Sequence, residues 1–364
     1  MQQLHALIPC TLAATLCASG ASAKPIQKLN DTGENQCVSG ENQWVDACAG
    51  TGQDGEFGRD ATHDQDGNGH AGFHWVKVDA TGQRLPAEAT TWACIEDRVT
   101  GFLWQADSGG DPRTFYTDYG DGRAGDVSEL VAKTNAAALC GVTNWRIPAV
   151  TELLGIVDLA PPGGGDSRAD MPWFPDTNAY YHWTSDVDPA DDQRVWALCF
   201  CGAAASNFSS RSTQNNARLV SGAPRHPPGR FTANGDEVAD ALTGLVWRRC
   251  VEGQVWSGTT CTGTASGYTW LGALDHAHEE AARTGVAWRV PNAKEISSLA
   301  YYKLRHAPYI FRKEFPGTVA GQRVWSSSAE WDSPDLAITW IDGGLATYPG
   351  RIAGAGVRLV RDGS

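Results

Sequence analysis

An internal duplication is the feature that most limits what this chain can fold into. Four short blocks recur in the same order: DRVTGFLW (97–104) and DALTGLVW (240–247), WRIPAVTELL (145–154) and WRVPNAKEIS (288–297), YYHWTSD (180–186) and QRVWSSS (322–328), and ARLV (217–220) and VRLV (357–360). Corresponding blocks lie 140 to 143 residues apart. A repeat this long is typical of tandem domains. We therefore predict one copy over 73–222 and a second over 231–364, with a proline-rich linker over 223–230.

Each copy has the same predicted order of elements, which indicates an α+β fold. A first helix is expected over 126–140 in copy one and about 270–284 in copy two. A second, short helix follows W-R-x-P, and Asn292 with Glu295 has the spacing of a capping box at its start in copy two. Central strands are expected within 195–203 and 336–344. The prediction for each copy is two helices packed on a small antiparallel sheet.

The first 23 residues have the pattern of a secretory signal peptide. An apolar stretch ends in small residues at Ala21-Ser22-Ala23, which fits an A-x-A cleavage site. Residues 24–72 then form a loop-rich N-terminal segment. Beyond the signal no run of about 20 apolar residues predicts a membrane span. The net charge of −13 argues against nucleic-acid partners.

Eight cysteines follow the predicted signal, an even number that suggests up to four disulfides in an exported chain. Two pairs are each 11 residues apart and are expected to close local loops: Cys37 with Cys48, and Cys250 with Cys261. The remaining four allow three pairings: Cys94, Cys140, Cys199 and Cys201. Cys199 and Cys201 share one face of a strand, so both could face the other two, and the three pairings stay open. A zinc site is the alternative, although no C-x-x-C pair exists.

The repeated order T-G-x-x-W, W-R-x-P-x-x-x-E, W-[ST]-S and R-L-V resembles the Lcl C-terminal domain family. The resemblance covers nearly all of 73–364, as two copies, and the stretch from 58 to 73 is similar to a segment that precedes this domain in exported bacterial proteins. It implies a C-type-lectin-like fold. Because the family includes the C-terminal domain of a bacterial collagen-like adhesin, it also implies binding of sulfated glycans. Such a resemblance is stronger evidence for the fold than for the function.

An acidic loop before the first copy predicts a calcium site. DQDGNG places Asp64, Asp66 and Asn68 at positions 1, 3 and 5 of a calcium-type loop, with a glycine at position 6. The His70 carbonyl would follow at position 7, and Asp60 or Asp54 would supply a further carboxylate. A solvated loop is the alternative. Transition-metal binding by the histidines at 63, 70 and 74 is disfavoured, because the glycines at 69 and 72 make a helix improbable.

Tryptophans divide into a repeated and a non-repeated set. The six repeated ones are expected to pack in the two cores: Trp104, Trp145, Trp183, Trp247, Trp288 and Trp325. Five others at unmatched positions are candidates for a ligand-binding surface, because an exposed tryptophan stacks well on sugar rings: Trp173, Trp256, Trp270, Trp331 and Trp340.

We predict from these patterns a secreted or cell-surface binding protein without catalytic residues, whose partner is a glycan or an extracellular protein. Arg146 and Arg289 recur with Glu152 and Glu295, and residues kept in both copies are expected to serve the fold. One alternative is an oxidase similar to formylglycine-generating enzymes, for which Cys199 and Cys201 alone could provide the reactive pair. Another is a structural accessory of a surface appendage.

Overall fold

The computed structural model describes residues 29–63, 67–106, 115–161, 166–202, 206–224, 229–348, 350–352 and 354–363. The predicted signal peptide and positions 225–228 of the predicted linker lie outside these ranges. The described part of the N-terminal segment contains four short elements: β1 (Cys37–Val38), β2 (Trp44–Val45), a 3₁₀ turn (Asp54–Glu56) and α1 (Asp60–His63). Strands β1 and β2 form an antiparallel hairpin. In the described part of the chain, no helix combines the length and the hydropathy that crossing a bilayer requires.

Copy one contains two antiparallel sheets and two helices. Its elements are β3 (Trp75–Val78), β4 (Cys94–Asp97), β5 (Leu103–Gln105), α2 (Val127–Ala136), α3 (Val150–Leu154), β6 (Tyr181–Val187), β7 (Arg194–Cys199), β8 (Ser206–Ser210) and β9 (Val220–Ser221). The first sheet has the order β3-β4-β5-β9, and the second has the order β6-β7-β8. The last strand of the copy thus pairs with β5, which brings the two ends of the copy together.

Copy two repeats this arrangement. Its elements are β10 (Phe231–Asn234), β11 (Glu237–Asp240), β12 (Leu245–Arg248), β13 (Val255–Trp256), β14 (Cys261–Thr262), α4 (Trp270–Thr284), α5 (Ala293–Ser297), β15 (Arg323–Ala329), β16 (Ala337–Ile341), β17 (Gly344–Tyr348) and β18 (Val360–Asp362). The sheets run β10-β11-β12-β18 and β15-β16-β17, and β13-β14 is an added hairpin. The α+β class is confirmed, but each copy has two main sheets where the sequence predicted one.

Local signals account for where the helices begin and end. Helix α4 covers the predicted span, starts after Thr269, whose Oγ1 accepts from the Gly272 amide at 3.1 Å, and stops at Gly285 with φ of 69°. Helix α2 ends earlier than predicted, and a separate 3₁₀ turn covers Leu139–Gly141. The capping box of α5 is present, because Glu295 accepts from the Asn292 amide at 2.9 Å and donates its own amide to Asn292 Oδ1 at 2.8 Å.

The six repeated tryptophans are buried in the cores, with side chains no more than 4% exposed. The indole nitrogens of the two W-[ST]-S tryptophans also make matching hydrogen bonds. Trp183 Nε1 donates to the Tyr116 carbonyl at 2.6 Å, and Trp325 Nε1 donates to the Tyr268 carbonyl at 2.8 Å. Each of these tryptophans therefore anchors the strand of its W-[ST]-S block to a loop of the same copy.

The two copies share one apolar core rather than packing as separate units. Trp196 of copy one lies 4.9 Å from the Tyr302 ring and 5.3 Å from the Tyr309 ring of copy two. Buried Arg168 also crosses the interface and contacts Glu330 at 2.9 Å. The duplication thus produces a two-lobed body with a common interior, in which each lobe buries apolar surface of the other.

Two of the four disulfides decide the pairing that the sequence left open. Cys37 is bonded to Cys48 and Cys250 to Cys261, as the spacing predicted. The central four pair as Cys94 with Cys140 and Cys199 with Cys201. The arrangement in which Cys199 and Cys201 both face the other pair is therefore not formed. β7 ends at Cys199, so Cys201 is no longer on the strand and its side chain turns back to its neighbour.

A buried histidine in copy one predicts acid sensitivity. His182 is fully buried, and burial and the Arg218 charge lower its pKa from 6.5 to about 3. Its equivalent in copy two is Val324, which is equally buried. The unfolded chain binds the proton below pH 6.5 whereas the folded chain does not, so stability is lost as the pH falls through that window.

We expect the wild type to lose about 2 kcal/mol between pH 7 and pH 5 through His182 alone. The variant His182→Val copies the residue of the second lobe and should lose that much less over the same interval. Urea unfolding of both proteins at the two pH values measures the difference. Equal losses in both proteins would show that His182 does not carry the effect.

Candidate functional site

Three of the five candidate surface tryptophans are buried and offer no stacking surface. Trp270 opens α4, and its Nε1 donates to the Ser326 carbonyl at 2.8 Å. Trp340 lies on the central strand β16 in the core that both copies share. Trp173 is 7% exposed and packs in the same core. Their positions are unmatched between the copies, yet the fold uses them for packing, which the repeat pattern could not show.

Trp256 and Trp331 remain partly exposed. Trp256 lies on the added hairpin β13-β14, where the Arg249 guanidinium covers its ring at 3.7 Å from the centroid. Trp331 lies in the turn between β15 and β16. It differs from Trp256 because its ring contacts another partly exposed tryptophan.

That second ring belongs to Trp44, at the start of β2 in the N-terminal hairpin. The centroids of Trp44 and Trp331 are 5.0 Å apart, and the ring planes are inclined by 39°. Trp44 also packs against the core of copy two, and this contact helps to fix the orientation of its ring. Trp44 was not among the predicted surface tryptophans, because the repeat pattern covers only residues inside the copies. Its place between Cys37 and Cys48, in a disulfide-closed loop, was the available signal.

We call the two rings the tryptophan pair; the hairpin and the turn that carry them, together with the segment around Arg351, also supply polar groups and one apolar side chain. Asn42 lies on the same hairpin as Trp44 and accepts from the Arg351 guanidinium. Asp335 is exposed in the β15–β16 turn and interacts electrostatically with Arg351. Ile352 is 87% exposed beside Arg351. The segments that carry the two rings thus also supply an amide and a carboxylate, both linked to one guanidinium, a combination that suits a ligand with both C–H faces and hydroxyl groups.

The W-R-x-P motifs build structural ion pairs in both copies. Arg146 contacts both Glu152 oxygens, at 2.6 and 2.9 Å, and Arg289 contacts both Glu295 oxygens, at 2.6 and 2.7 Å. The charge of Glu295 holds the pKa of Arg289 above its ordinary value despite burial. Each glutamate also accepts from a backbone amide at the start of its helix, so the fold holds its carboxylate in place through an arginine and a helix cap.

The predicted calcium loop is only partly described. Asp64 and Asp66 lie outside the described residues. The Asn68 carbonyl accepts from the Trp75 amide at 2.6 Å, and the His70 carbonyl accepts from the Phe73 amide at 3.0 Å. The His70 ring is held 2.8 Å from Asp158. The Asn68 and His70 carbonyls therefore take part in backbone hydrogen bonds, whereas the Asn68 side-chain oxygen, the predicted ligand atom, is buried without a hydrogen-bond partner among the described residues.

Asp60 lies elsewhere, in a buried acidic cluster with Asp31 and Asp54. One carboxylate oxygen from each of the three lies within 4.8 Å of the others. Burial and the charge of Asp31 raise the pKa of Asp54 to about 7, and burial with the neighbouring carboxylates raises the pKa of Asp60 well above its usual range. Asp60 and Asp54 were predicted from the sequence as carboxylate ligands, whereas Asp31 was not predicted.

The oxidase alternative depends on Cys199 and Cys201, whose sulfurs are bonded to each other in this structure. Cys199 is also 2% exposed. A reaction at this pair would first require reduction of that bond.

Comparison with known protein families identifies the repeated unit. The family model described as the Lcl C-terminal domain matches residues 93–221 and 236–361. Both matches lie inside the two copies, and together they cover more than half of the 364 residues. The comparison with curated proteins gives no match. This chain belongs to the Lcl C-terminal domain family and carries two copies of that domain in tandem.

Proposed function

We propose that this protein is an exported, non-catalytic binding protein that recognises glycans through the tryptophan pair. The observation that carries the proposal is the contact of two partly exposed rings, Trp44 and Trp331, 5.0 Å apart at the junction of the N-terminal hairpin and copy two. Large aromatic side chains are normally buried, so two of them sharing a partly exposed surface favour a binding role.

The surroundings of the tryptophan pair support a sugar as the ligand. The C–H face of a pyranose stacks on an indole ring, while its hydroxyl groups need donors and acceptors at the edge. Asn42, Asp335 and Arg351 provide both kinds of group. The guanidinium of Arg351 would also pair with a sulfate substituent, in keeping with the sulfated ligands that the family resemblance implies.

The fold proposal is that each copy is C-type-lectin-like. Its support is the family membership and the pairing of the last strand of each copy with its opening sheet, β9 with β5 and β18 with β12. Trp331 lies in the partly exposed turn between two strands of the second sheet of copy two. Export is supported by four disulfides, which persist in oxidising compartments.

A glycan-array screen of the chain without residues 1–23 tests the proposal, with sulfated and neutral glycans on the same surface. We expect Trp331→Ala to weaken binding of the best glycan at least about tenfold, corresponding to about 1.4 kcal/mol. The melting temperature should change little, because Trp331 lies in a turn and is partly exposed.

Trp256→Ala is the matched control, because Trp256 is also partly exposed in copy two but lies on a separate hairpin. It should bind the glycan like the wild type. Equal binding by the wild type and Trp331→Ala would exclude the tryptophan pair as the site. If no glycan binds and the protein instead co-purifies stably with a surface-appendage subunit, the structural-accessory alternative is favoured.

A further inference from the structure

Four carboxylates from the N-terminal segment are buried where that segment meets copy two. Asp31, Asp54 and Asp60 form the acidic cluster, and Glu34 borders it, because Asp54 is the charged group that acts most strongly on Glu34. All four side chains are no more than 7% exposed. They lie before residue 93, so none belongs to the stretches that match the family model.

No arginine or lysine among the described residues forms an ion pair within 4.0 Å with the cluster, although the charge of Lys294 acts on Asp31 and that of Arg168 acts on Glu34. Lys294 is the buried cation nearby, but its Nζ donates to the backbone carbonyls of Asp31, at 2.5 Å, and Gly155, at 3.1 Å. Ionised carboxylates buried without a counter-charge are strongly unfavourable, so the site requires protons or a cation.

Neutral oxygens are placed among the carboxylates. Thr32 Oγ1 donates to Asp54 Oδ2 at 2.8 Å and lies 3.3 Å from Asp60 Oδ2. The Ser328 hydroxyl of copy two contacts Asp54 from the other side. The donor set is thus made of oxygen alone, without histidine or cysteine, which suits Ca²⁺ and disfavours zinc.

An unpartnered oxygen provides an independent sign of a missing ligand. Glu34 is 2% exposed, and its Oε2 accepts from the Ala329 amide at 3.0 Å. Its Oε1 is buried and has no hydrogen-bond partner among the described residues. Such an atom is rare in a folded protein unless something else satisfies it.

The cluster also has a route to solvent. Asp31 lines a cavity of about 580 Å³ together with Gly58, Asn292 and Glu295. Gly58 has φ of 84°, and a side chain there would collide with the Asp31 carboxylate. The backbone therefore approaches Asp31 closely, and Asp31 is also the residue of the cluster that lines the cavity.

We propose that Asp31, Asp54 and Asp60, with Glu34 beside them, bind a divalent cation, with Ca²⁺ preferred, and that the ion fastens the N-terminal segment to copy two. The segment contributes the carboxylates, and copy two contributes Ser328 together with Asn292, which donates to Asp31 at 2.9 Å. The ion therefore holds the hairpin that carries Trp44 against the lobe that carries Trp331.

Thermal unfolding with and without calcium tests this site on the chain without residues 1–23, after dialysis against EGTA. Adding Ca²⁺ to about 100 times its dissociation constant should raise the melting temperature by about 4 °C, with a smaller effect of Mg²⁺. Isothermal titration with CaCl₂ should give a binding isotherm. In Asp54→Asn and Asp60→Asn, which preserve side-chain size, the calcium-dependent rise should be lost.

Two controls keep the test specific. Asp186→Asn removes a buried carboxylate at the position in copy one that corresponds to Ser328, and it should keep the full calcium-dependent rise. The double variant Asp64→Asn with Asp66→Asn tests the loop that the sequence predicted, and it too should keep the rise. A wild type without calcium response, cluster variants that retain it, or a loop variant that loses it would overturn the proposal.

An accessory measurement separates a cation site from a purely structural cluster. In EGTA, Asp54→Asn should melt at or above the wild-type temperature, because it removes repulsion with Asp31 and Asp60. If Asp54 served only as a hydrogen-bond acceptor for Thr32 and Ser328, the variant would be destabilised equally in EGTA and in calcium. That second pattern would contradict cation binding at this cluster.

Discussion

Replacing Arg358 with methionine is expected to lower the free energy of unfolding by about 3–5 kcal/mol. The Arg358 side chain is 1% exposed, and its Nη1 donates to the Arg248 carbonyl at 2.9 Å and the Arg249 carbonyl at 2.5 Å. Its Nη2 donates to Thr318 Oγ1 at 2.9 Å. Methionine fills similar space but removes the donor from these three acceptors, and each group left unsatisfied costs roughly 1–3 kcal/mol.

The control is Arg361→Met, which changes the same residue type three positions along the chain. Arg361 is partly exposed and pairs with Glu237 at 2.8 Å at the surface, so its loss should cost less than about 1 kcal/mol. Chemical denaturation of both variants measures the two costs. Similar values for Arg358→Met and Arg361→Met would contradict the structural role assigned to Arg358.

Removing the disulfide between Cys94 and Cys140 is expected to cost about 4 kcal/mol, because it closes a loop of 46 residues. The two sulfurs join the start of β4 to the 3₁₀ turn after α2, and both cysteines are buried. The double variant Cys94→Ala with Cys140→Ala, unfolded in urea without reductant, measures the loss.

The bond between Cys199 and Cys201 provides the comparison within the same copy. These residues are 2 apart, so the same dependence on loop length gives a cost of only about 1 kcal/mol. The Cys199→Ala with Cys201→Ala variant should therefore remain much more stable than the variant without Cys94 and Cys140. A reversed order would show that chain entropy does not govern the contribution of these bonds.

The role of Arg358 could not be predicted from the motif that contains it. The R-L-V block was recognised as a repeat, but the sequence did not reveal what its arginine does. In copy one, Arg218 donates to the carbonyls of Gln105 and Ala106 at 2.6 and 2.5 Å and to Thr177 Oγ1 at 2.7 Å. The same pattern occurs around Arg358, so the arginine recurs because both lobes need one buried donor at the end of the T-G-x-x-W strand.

The candidate site was less accessible to prediction than the fold. Whether a tryptophan stacks on a ligand or packs in a core depends on side chains that are distant in sequence. Trp340 and Trp331 are nine positions apart, yet one lies on a central strand and the other in a turn. The partner of Trp331 is 287 positions earlier, in a segment outside both repeats.

The sequence by itself determined the tandem architecture, the helix starts and the burial of the repeated tryptophans. These features depend on local patterns of spacing and capping, and the duplication shows each pattern twice. Only the tertiary structure decided the pairing of the four central cysteines, the shared core between the copies and the meeting of Asp31, Asp54 and Asp60. Those features depend on contacts between loop residues that are far apart in sequence. The loops have no regular residue pattern, so the local sequence carries little information about which of these contacts form.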